Sequence, residues 1–180
     1  RYYIILVKTW GITLIALKTI DVKDFMSKLL ISDTFHRFML SEATINTYNS
    51  FTIDGHINKE YYSKEELEEK NLLEQSMSYW ETIQPYCFGL IKGKKTPLGF
   101  KIVFLLSPSN VEKLLNQTNI GLGVNDINGL FLNIKYNNNE VHCTTGTSLK
   151  LFTLDKSLEN EWDMMVQKFL KSNEIAFEVI

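Results

Sequence analysis

The stretch Lys28-Leu29-Leu30 lies in an amphipathic helical pattern, and the same three residues recur as Lys113-Leu114-Leu115 in a second such pattern, 85 residues later. A second pair of similar segments has nearly the same offset, because Trp80-Glu81 is followed 82 residues later by Trp162-Asp163. Two separate landmarks with nearly the same offset indicate a duplicated unit. A period this long exceeds that of solenoid repeats. The sequence therefore predicts two half-units that pack as one body.

Around the first landmark, the pattern predicts the order β-α-β-β-β. Residues 12–18 are β-branched and aliphatic, which favours a strand. Asp21 is placed as the N-cap of the helix that follows. The apolar positions of that helix have helical spacing: Val22, Phe25, Met26, Leu29 and Leu30. Residues 35–41, 44–53 and 56–62 are predicted as strands, with Asp54-Gly55 as a two-residue hairpin turn.

Two further helical segments complete the first half. Residues 63–76 are rich in glutamate and predict a solvated helix or linker. Residues 77–91 place Trp80 on the apolar face of a helix, and Pro85 is expected to kink or split that helix near Gln84. A polar break at residues 92–97 then separates the half-units, which we assign as residues 12–95 and 96–180. Residues 1–11 are assigned as an N-terminal extension or an extra strand.

The second half repeats the same order of elements. A strand at 99–106 precedes a helix that begins at Ser107-Pro108, with proline at its first position. Three strands are predicted next: 130–136, 141–145 and 149–154. A helical stripe from Leu158 to Leu170 closes the half. The fold class is therefore α+β with a mostly antiparallel sheet in one domain, residues 12–180. The alternatives are another two-repeat α+β saddle, or an irregular α+β domain whose repeat is chance.

Composition excludes several classes of protein. Of the 180 residues, 44% are hydrophobic and 22% are charged, which is typical of a folded globular chain. The net charge is −2, so the strong basic excess of many nucleic-acid-binding proteins is missing. The apolar run at 2–7 is too short for a membrane span. The two cysteines are interpreted as buried free thiols in a reducing compartment, and a cytoplasmic location is expected.

A doubled β-α-β-β-β unit resembles a single domain of the DNA sliding clamp family. The local match is the segment 141–149, in which an alternating strand runs into Gly146-Thr147-Ser148-Leu149. The corresponding clamp segment has Asp where this chain has Ser148. The whole chain also resembles an uncharacterised bacterial protein family without an assigned function.

The clamp resemblance implies helices that line a central hole and present lysines to the phosphate backbone. In this chain Lys23 and Lys28 lie beside Asp21 and Asp24 in the first helical pattern, and Lys113 follows Glu112 in the second. Phosphate binding depends on an excess of positive charge. The resemblance is therefore interpreted as one of fold, and a protein partner or self-association is favoured over DNA.

Three lysines form the densest basic cluster in the sequence, and they are the only candidate site residues: Lys92, Lys94 and Lys95. They are interpreted as a nucleic-acid contact or, more commonly for such runs, as a solvated loop. No histidine or cysteine pair has the spacing of a zinc site, and no catalytic residue or cofactor is expected. His142 and Cys143 are adjacent on a predicted strand and therefore point to opposite faces.

The leading functional prediction is a non-catalytic binding module without a membrane segment. One alternative is weak nucleic-acid binding through the lysine cluster. Another is an enzyme of unrecognised type, with a pocket between the half-units that gathers His56, His142 and Asp155. The last is a homo-oligomer held by sheet edges.

Overall fold

The computed structural model describes residues 15–180. The predicted N-terminal extension, residues 1–11, and the start of the predicted strand at 12–18 lie outside the described residues.

The described strands form one seven-stranded sheet with the order β3-β2-β4-β5-β6-β1-β7, and every neighbouring pair is antiparallel. The strands are β1 Ala16–Thr19, β2 Met39–Asn46, β3 Ser50–Asp54, β4 Gly99–Leu105, β5 Ile127–Asn137, β6 Glu140–Leu149 and β7 Phe177–Val179. The helices are α1 Val22–Leu30, α2 Lys64–Glu69, α3 Trp80–Ile91, α4 Pro108–Thr118 and α5 Ser157–Ser172. The predicted α+β class is confirmed.

One face of the sheet carries the hydrophobic core, and the other face, which we call the open face, has exposed side chains such as Lys101 and Lys135 within residues 15–180. Along β4, Phe100, Ile102 and Phe104 are buried while Lys101 is exposed, because successive side chains point to opposite faces. Trp80 of α3 and Trp162 of α5 are buried in the same core cluster, as the sequence predicts. Trp80 packs edge-on against Phe104, with ring centroids 5.1 Å apart.

The predicted hairpin at Asp54-Gly55 is wrong. The chain turns earlier, between β2 and β3, where Thr47 N donates to Asn49 O at 2.9 Å. After β3, His56 makes only an isolated bridge with Met77, and a 3₁₀ turn follows at Lys59–Tyr61. The predicted strand at 56–62 is therefore also wrong, because no strand within residues 15–180 pairs with these residues to form a ladder.

Other predicted boundaries are corrected in the same way. The strand predicted at 149–154 does not form, because β6 ends at Leu149, opposite the first residue of β5, Ile127. The strand predicted at 35–41 begins only at Met39, since Phe35 and Phe38 instead stack on Phe104 in the core. The helix predicted at 77–91 begins at Trp80 and is not split at Pro85.

The two halves share an order of elements, β-α-β-β, but not a pattern of pairing. β4 pairs with β5, whereas β1 pairs with β6 and β7. A first-half strand therefore lies among second-half strands, and the sheet is continuous across the predicted boundary at 95/96. The duplication itself stays a prediction.

Candidate functional site

The predicted lysine cluster lies at one end of the sheet, in the loop that leads from α3 into β4. Gly99, the first residue of β4, pairs with Asn46 at the end of β2 and with Asn137 at the end of β5. Because neighbouring strands are antiparallel, the β5–β6 turn and the end of β1 lie at this same end of the sheet. We call it the basic end.

At the basic end, the loop at 92–97 faces the start of α1 and the end of β1 across an open groove of about 840 Å³. Five lysines line this groove: Lys18, Lys23, Lys92, Lys94 and Lys95. The lining carboxylates are Asp21 and Glu140. The fold thus brings the predicted cluster together with two lysines that are distant in sequence, and we call the result the lysine groove.

Much of the groove's positive charge is not neutralised by ion pairs. Lys18 Nζ lies 2.6 Å from Glu140 Oε1, and this contact raises the pKa of Lys18 and lowers that of Glu140. Lys92 Nζ lies over the Phe88 ring, 5.8 Å from its centroid. Within residues 15–180, Lys23, Lys94 and Lys95 have no carboxylate partner within 4.0 Å. The groove therefore has a local positive excess that the net charge conceals.

The floor of the groove is apolar. Ile91 and Pro97 are buried, while Val22 and Met26 are partly buried beside them. Asp21 has a local role there, since its Oδ1 accepts a hydrogen bond from Asp24 N at 2.9 Å at the start of α1. Cationic walls above an apolar floor can hold a chain that carries negative groups, because lysine stems pack on the floor while the ammonium groups reach upward.

The residues of the predicted enzyme pocket are not brought together. His56, next to β3, contacts Asp54 through Nδ1 at 2.6 Å, and hydrogen bonds from the backbone and ring of His56 lower the pKa of Asp54. His142 lies on β6, four strand positions from β3, or about 19 Å away at the usual strand spacing. Asp155 accepts hydrogen bonds from Ser157 just before α5, which lower the pKa of Asp155. His56 and Asp155 thus have local structural partners, and His142 Nε2 lies 3.7 Å from Glu140 Oε2 on the same strand.

Both cysteines are buried, as predicted, and burial raises the pKa of each thiol to about 12. Such thiols are protonated at neutral pH, which makes them poor nucleophiles. His142 is half-exposed on the open face while Cys143 is buried, so the two point to opposite faces as expected.

Another buried ionisable group lies in α5. Asp163 accepts a hydrogen bond from Thr145 Oγ1 at 2.5 Å, and burial, with a contribution from nearby Glu159, raises its pKa. These two carboxyls are one helical turn apart and do not form a larger cluster. Among residues 15–180, no group of three histidine, cysteine, aspartate or glutamate side chains could hold a metal ion. In the same part of the chain, no helix is both long and apolar enough to cross a membrane.

Sequence reasoning missed a second basic feature, on the open face of the sheet beside the groove. Lys101 of β4 lies directly opposite Lys135 of β5, which in turn lies opposite His142 of β6. The signal in the sequence is a single lysine inside each of two apolar strands. Their alignment depends on strand register, which no local pattern contains.

Comparison with curated proteins and with solved structures gives no significant match, and the resemblance to sliding clamps is not confirmed. The model of one family, described as a family of unknown function (DUF5721), matches residues 28–178. This range includes the last three residues of α1, strands β2 to β6, most of β7, the loop at 92–97, and Lys101 and Lys135 on the open face. The chain therefore belongs to the DUF5721 family, whose function is unknown.

Proposed function

We propose that the protein is a non-catalytic binding module whose partner presents a run of negative charge to the lysine groove. The observation that supports this proposal is the convergence of Lys92, Lys94 and Lys95 with Lys18 and Lys23 around one cleft. Like charges gathered on one surface repel one another, and an anionic partner relieves that repulsion.

The net charge of −2 argues against an anionic partner only if charge is spread evenly. It is not spread evenly in space, because the glutamate-rich residues 60–74 follow the end of β3 that is opposite the basic end. Association with a polyanion depends on the local field and on release of its counterions, so a local excess is sufficient. An acidic protein segment and a nucleic acid strand both have this chemistry.

The test uses two fluorescent probes, single-stranded oligothymidylate of about 16 nucleotides and oligoglutamate with the same number of charges. Fluorescence anisotropy at increasing salt measures the affinity of each. We expect at least one probe to bind at low salt with an affinity that falls as salt rises. The triple variant Lys92→Gln, Lys94→Gln, Lys95→Gln should weaken this binding and flatten the salt dependence, since fewer counterions are displaced.

The matched control is the triple variant Lys113→Gln, Lys150→Gln, Lys168→Gln, which changes net charge equally at exposed lysines outside the groove. It should retain most of the affinity of the unmodified protein. The absence of binding to either probe at low salt, or equal losses in the two triple variants, would contradict the proposal.

A further inference from the structure

We propose that the open face of the sheet binds the phosphate backbone of single-stranded nucleic acid, along a row of basic side chains that continues from the lysine groove. This inference rests on the proposed function, and it names both the partner and its path. The row is Lys101, Lys135, His142 and Lys18, one residue from each of β4, β5, β6 and β1. Residues in register on the same face of a sheet are about 4.8 Å apart, so the row spans about 14 Å.

The alignment of these basic residues on neighbouring strands lowers the stability of the folded protein. Like charges directly opposite each other on neighbouring strands destabilise a sheet, yet Lys101 faces Lys135 across one strand pair. His142 faces both Lys135 and Lys18, and its ring nitrogens add hydrogen-bonding capacity. A row of phosphates would offset the repulsion among these groups.

Three members of the row have a carboxylate nearby, including His142, whose Nε2 lies 3.7 Å from Glu140 Oε2, but Lys135 does not. Lys101 Nζ lies 2.9 Å from Glu42 Oε1, and Lys18 Nζ lies 2.6 Å from Glu140 Oε1. Lys135 is exposed and has no carboxylate within 4.0 Å among residues 15–180. We therefore assign Lys135 as the primary phosphate contact on this face.

The row and the lysine groove form one continuous track. Lys18 belongs to both, as the last member of the row and as part of the groove lining. An extended strand could therefore cross the open face and enter the groove at Lys18. Two separate basic patches on unrelated faces would not allow this.

Beside Lys101 and Lys135 lies a shallow depression of about 900 Å³ whose lining also includes Tyr48, Asn46 and Asn137. Tyr48 is 83% exposed and is held edge-on to Phe51, with ring centroids 5.6 Å apart. An exposed aromatic ring next to phosphate-binding lysines favours an unstacked base, and asparagine amides can bond to sugar or base. This combination favours single-stranded nucleic acid over a duplex, whose bases are already stacked, and over an acidic peptide.

The test compares two single variants with matched controls on the same oligothymidylate and oligoglutamate probes. Lys135→Gln should reduce the slope of log affinity against log salt for oligothymidylate by about 0.7, the value for one lost phosphate contact on a single strand. Tyr48→Ser should weaken oligothymidylate binding about fivefold or more while leaving oligoglutamate binding unchanged. The controls are Lys150→Gln, also exposed, and Tyr61→Ser, whose ring is equally exposed at 83% and lies among the glutamate-rich residues 60–74.

Three results would overturn the inference. They are unchanged oligothymidylate affinity in both Lys135→Gln and Tyr48→Ser, equal losses in the matched controls, or a duplex that binds as tightly as the single strand. If the groove triple variant still weakens binding in that case, the proposed function stands without the open-face path. Thermal unfolding of each variant checks that folding is intact, and Lys135→Gln should not lower the midpoint, because it removes repulsion.

Discussion

At the scale of single residues, Gly55 has a role that differs from the turn its sequence context suggests. Its backbone N donates to Ser41 O at 2.9 Å and its carbonyl accepts from Ser78 N at 2.8 Å, so it lies between β2 and the segment before α3. A Cβ atom at Gly55 would lie 1.8 Å from Leu40 O, a backbone atom of β2. Position 55 therefore requires glycine, because the backbone of β2 lies too close to it for a side chain to fit.

We expect Gly55→Ala to lower the free energy of unfolding by about 3 kcal/mol, the upper part of the range for overpacked sites. The methyl group can be accommodated only if β2 or the following segment moves, which would stretch these hydrogen bonds. Urea denaturation followed by circular dichroism measures the change.

Gly89 provides the matched control for this substitution. It is exposed in α3, and a Cβ there would have no atom within 4 Å. Gly89→Ala should raise the free energy of unfolding by about 1 kcal/mol, because alanine is the better helix former. A Gly55→Ala protein as stable as the unmodified protein would show that the close approach is relaxed in solution.

At the scale of elements, the same N-cap chemistry has different consequences in α1 and α2. Asp21 Oδ1 caps α1, whose Phe25, Leu29 and Leu30 are buried in the core. Ser63 caps α2 in a complete capping box with Glu66, but α2 has no buried residue. Stability of α1 is therefore coupled to the core, and stability of α2 is not.

We expect Asp21→Ala to lower the global free energy of unfolding by about 1 kcal/mol, the usual value for loss of a cap. Ser63→Ala should change it by less than about 0.5 kcal/mol, while hydrogen exchange at the amides of α2 becomes faster. Urea denaturation and amide exchange measure the two effects separately. A global loss in Ser63→Ala equal to that in Asp21→Ala would mean that α2 unfolds together with the core.

The elements that the sequence predicts well are those specified by local chemistry. Asp21 and Ser107-Pro108 mark the starts of α1 and α4 because capping and the proline ring act within one turn. The predicted strands at 56–62 and 149–154 are wrong because a strand needs a neighbouring strand with which to pair. No local pattern in the sequence shows whether such a neighbour is present. The same holds for the candidate site. The lysine cluster is visible as a short run in the sequence, whereas Lys18 joins it only because of the order of the strands in the sheet.

At the scale of the whole molecule, charge is arranged along the strand direction. Residues 58–75 carry six glutamates and three lysines and follow the end of β3 that is opposite the basic end. None of these residues is buried. The ends of the segment are held together where Ile57 N donates to Ser76 O at 2.9 Å. We call residues 58–75 the acidic segment.

Because the ends of the acidic segment meet, a short Gly-Ser linker between Ile57 and Ser76 can replace it. The cooperativity of unfolding should be unchanged, since deletion is tolerated where no side chain is buried. The segment contributes −3 to a net charge of −2, so the remaining chain would carry +1. Affinity for oligothymidylate at low salt should then rise by several-fold, because the long-range field becomes more attractive.

This gain should disappear as salt rises, because at about 0.15 M salt charges are screened beyond about 8 Å. Anisotropy titrations of the linker variant and the unmodified protein at low and physiological salt measure the difference. The matched control replaces Glu65, Glu68 and Glu69 by glutamine and keeps the length of the segment, which gives the same net charge of +1 and separates charge from loss of chain. An equal gain at both salt concentrations would instead mean that the acidic segment covers part of the binding surface by direct contact.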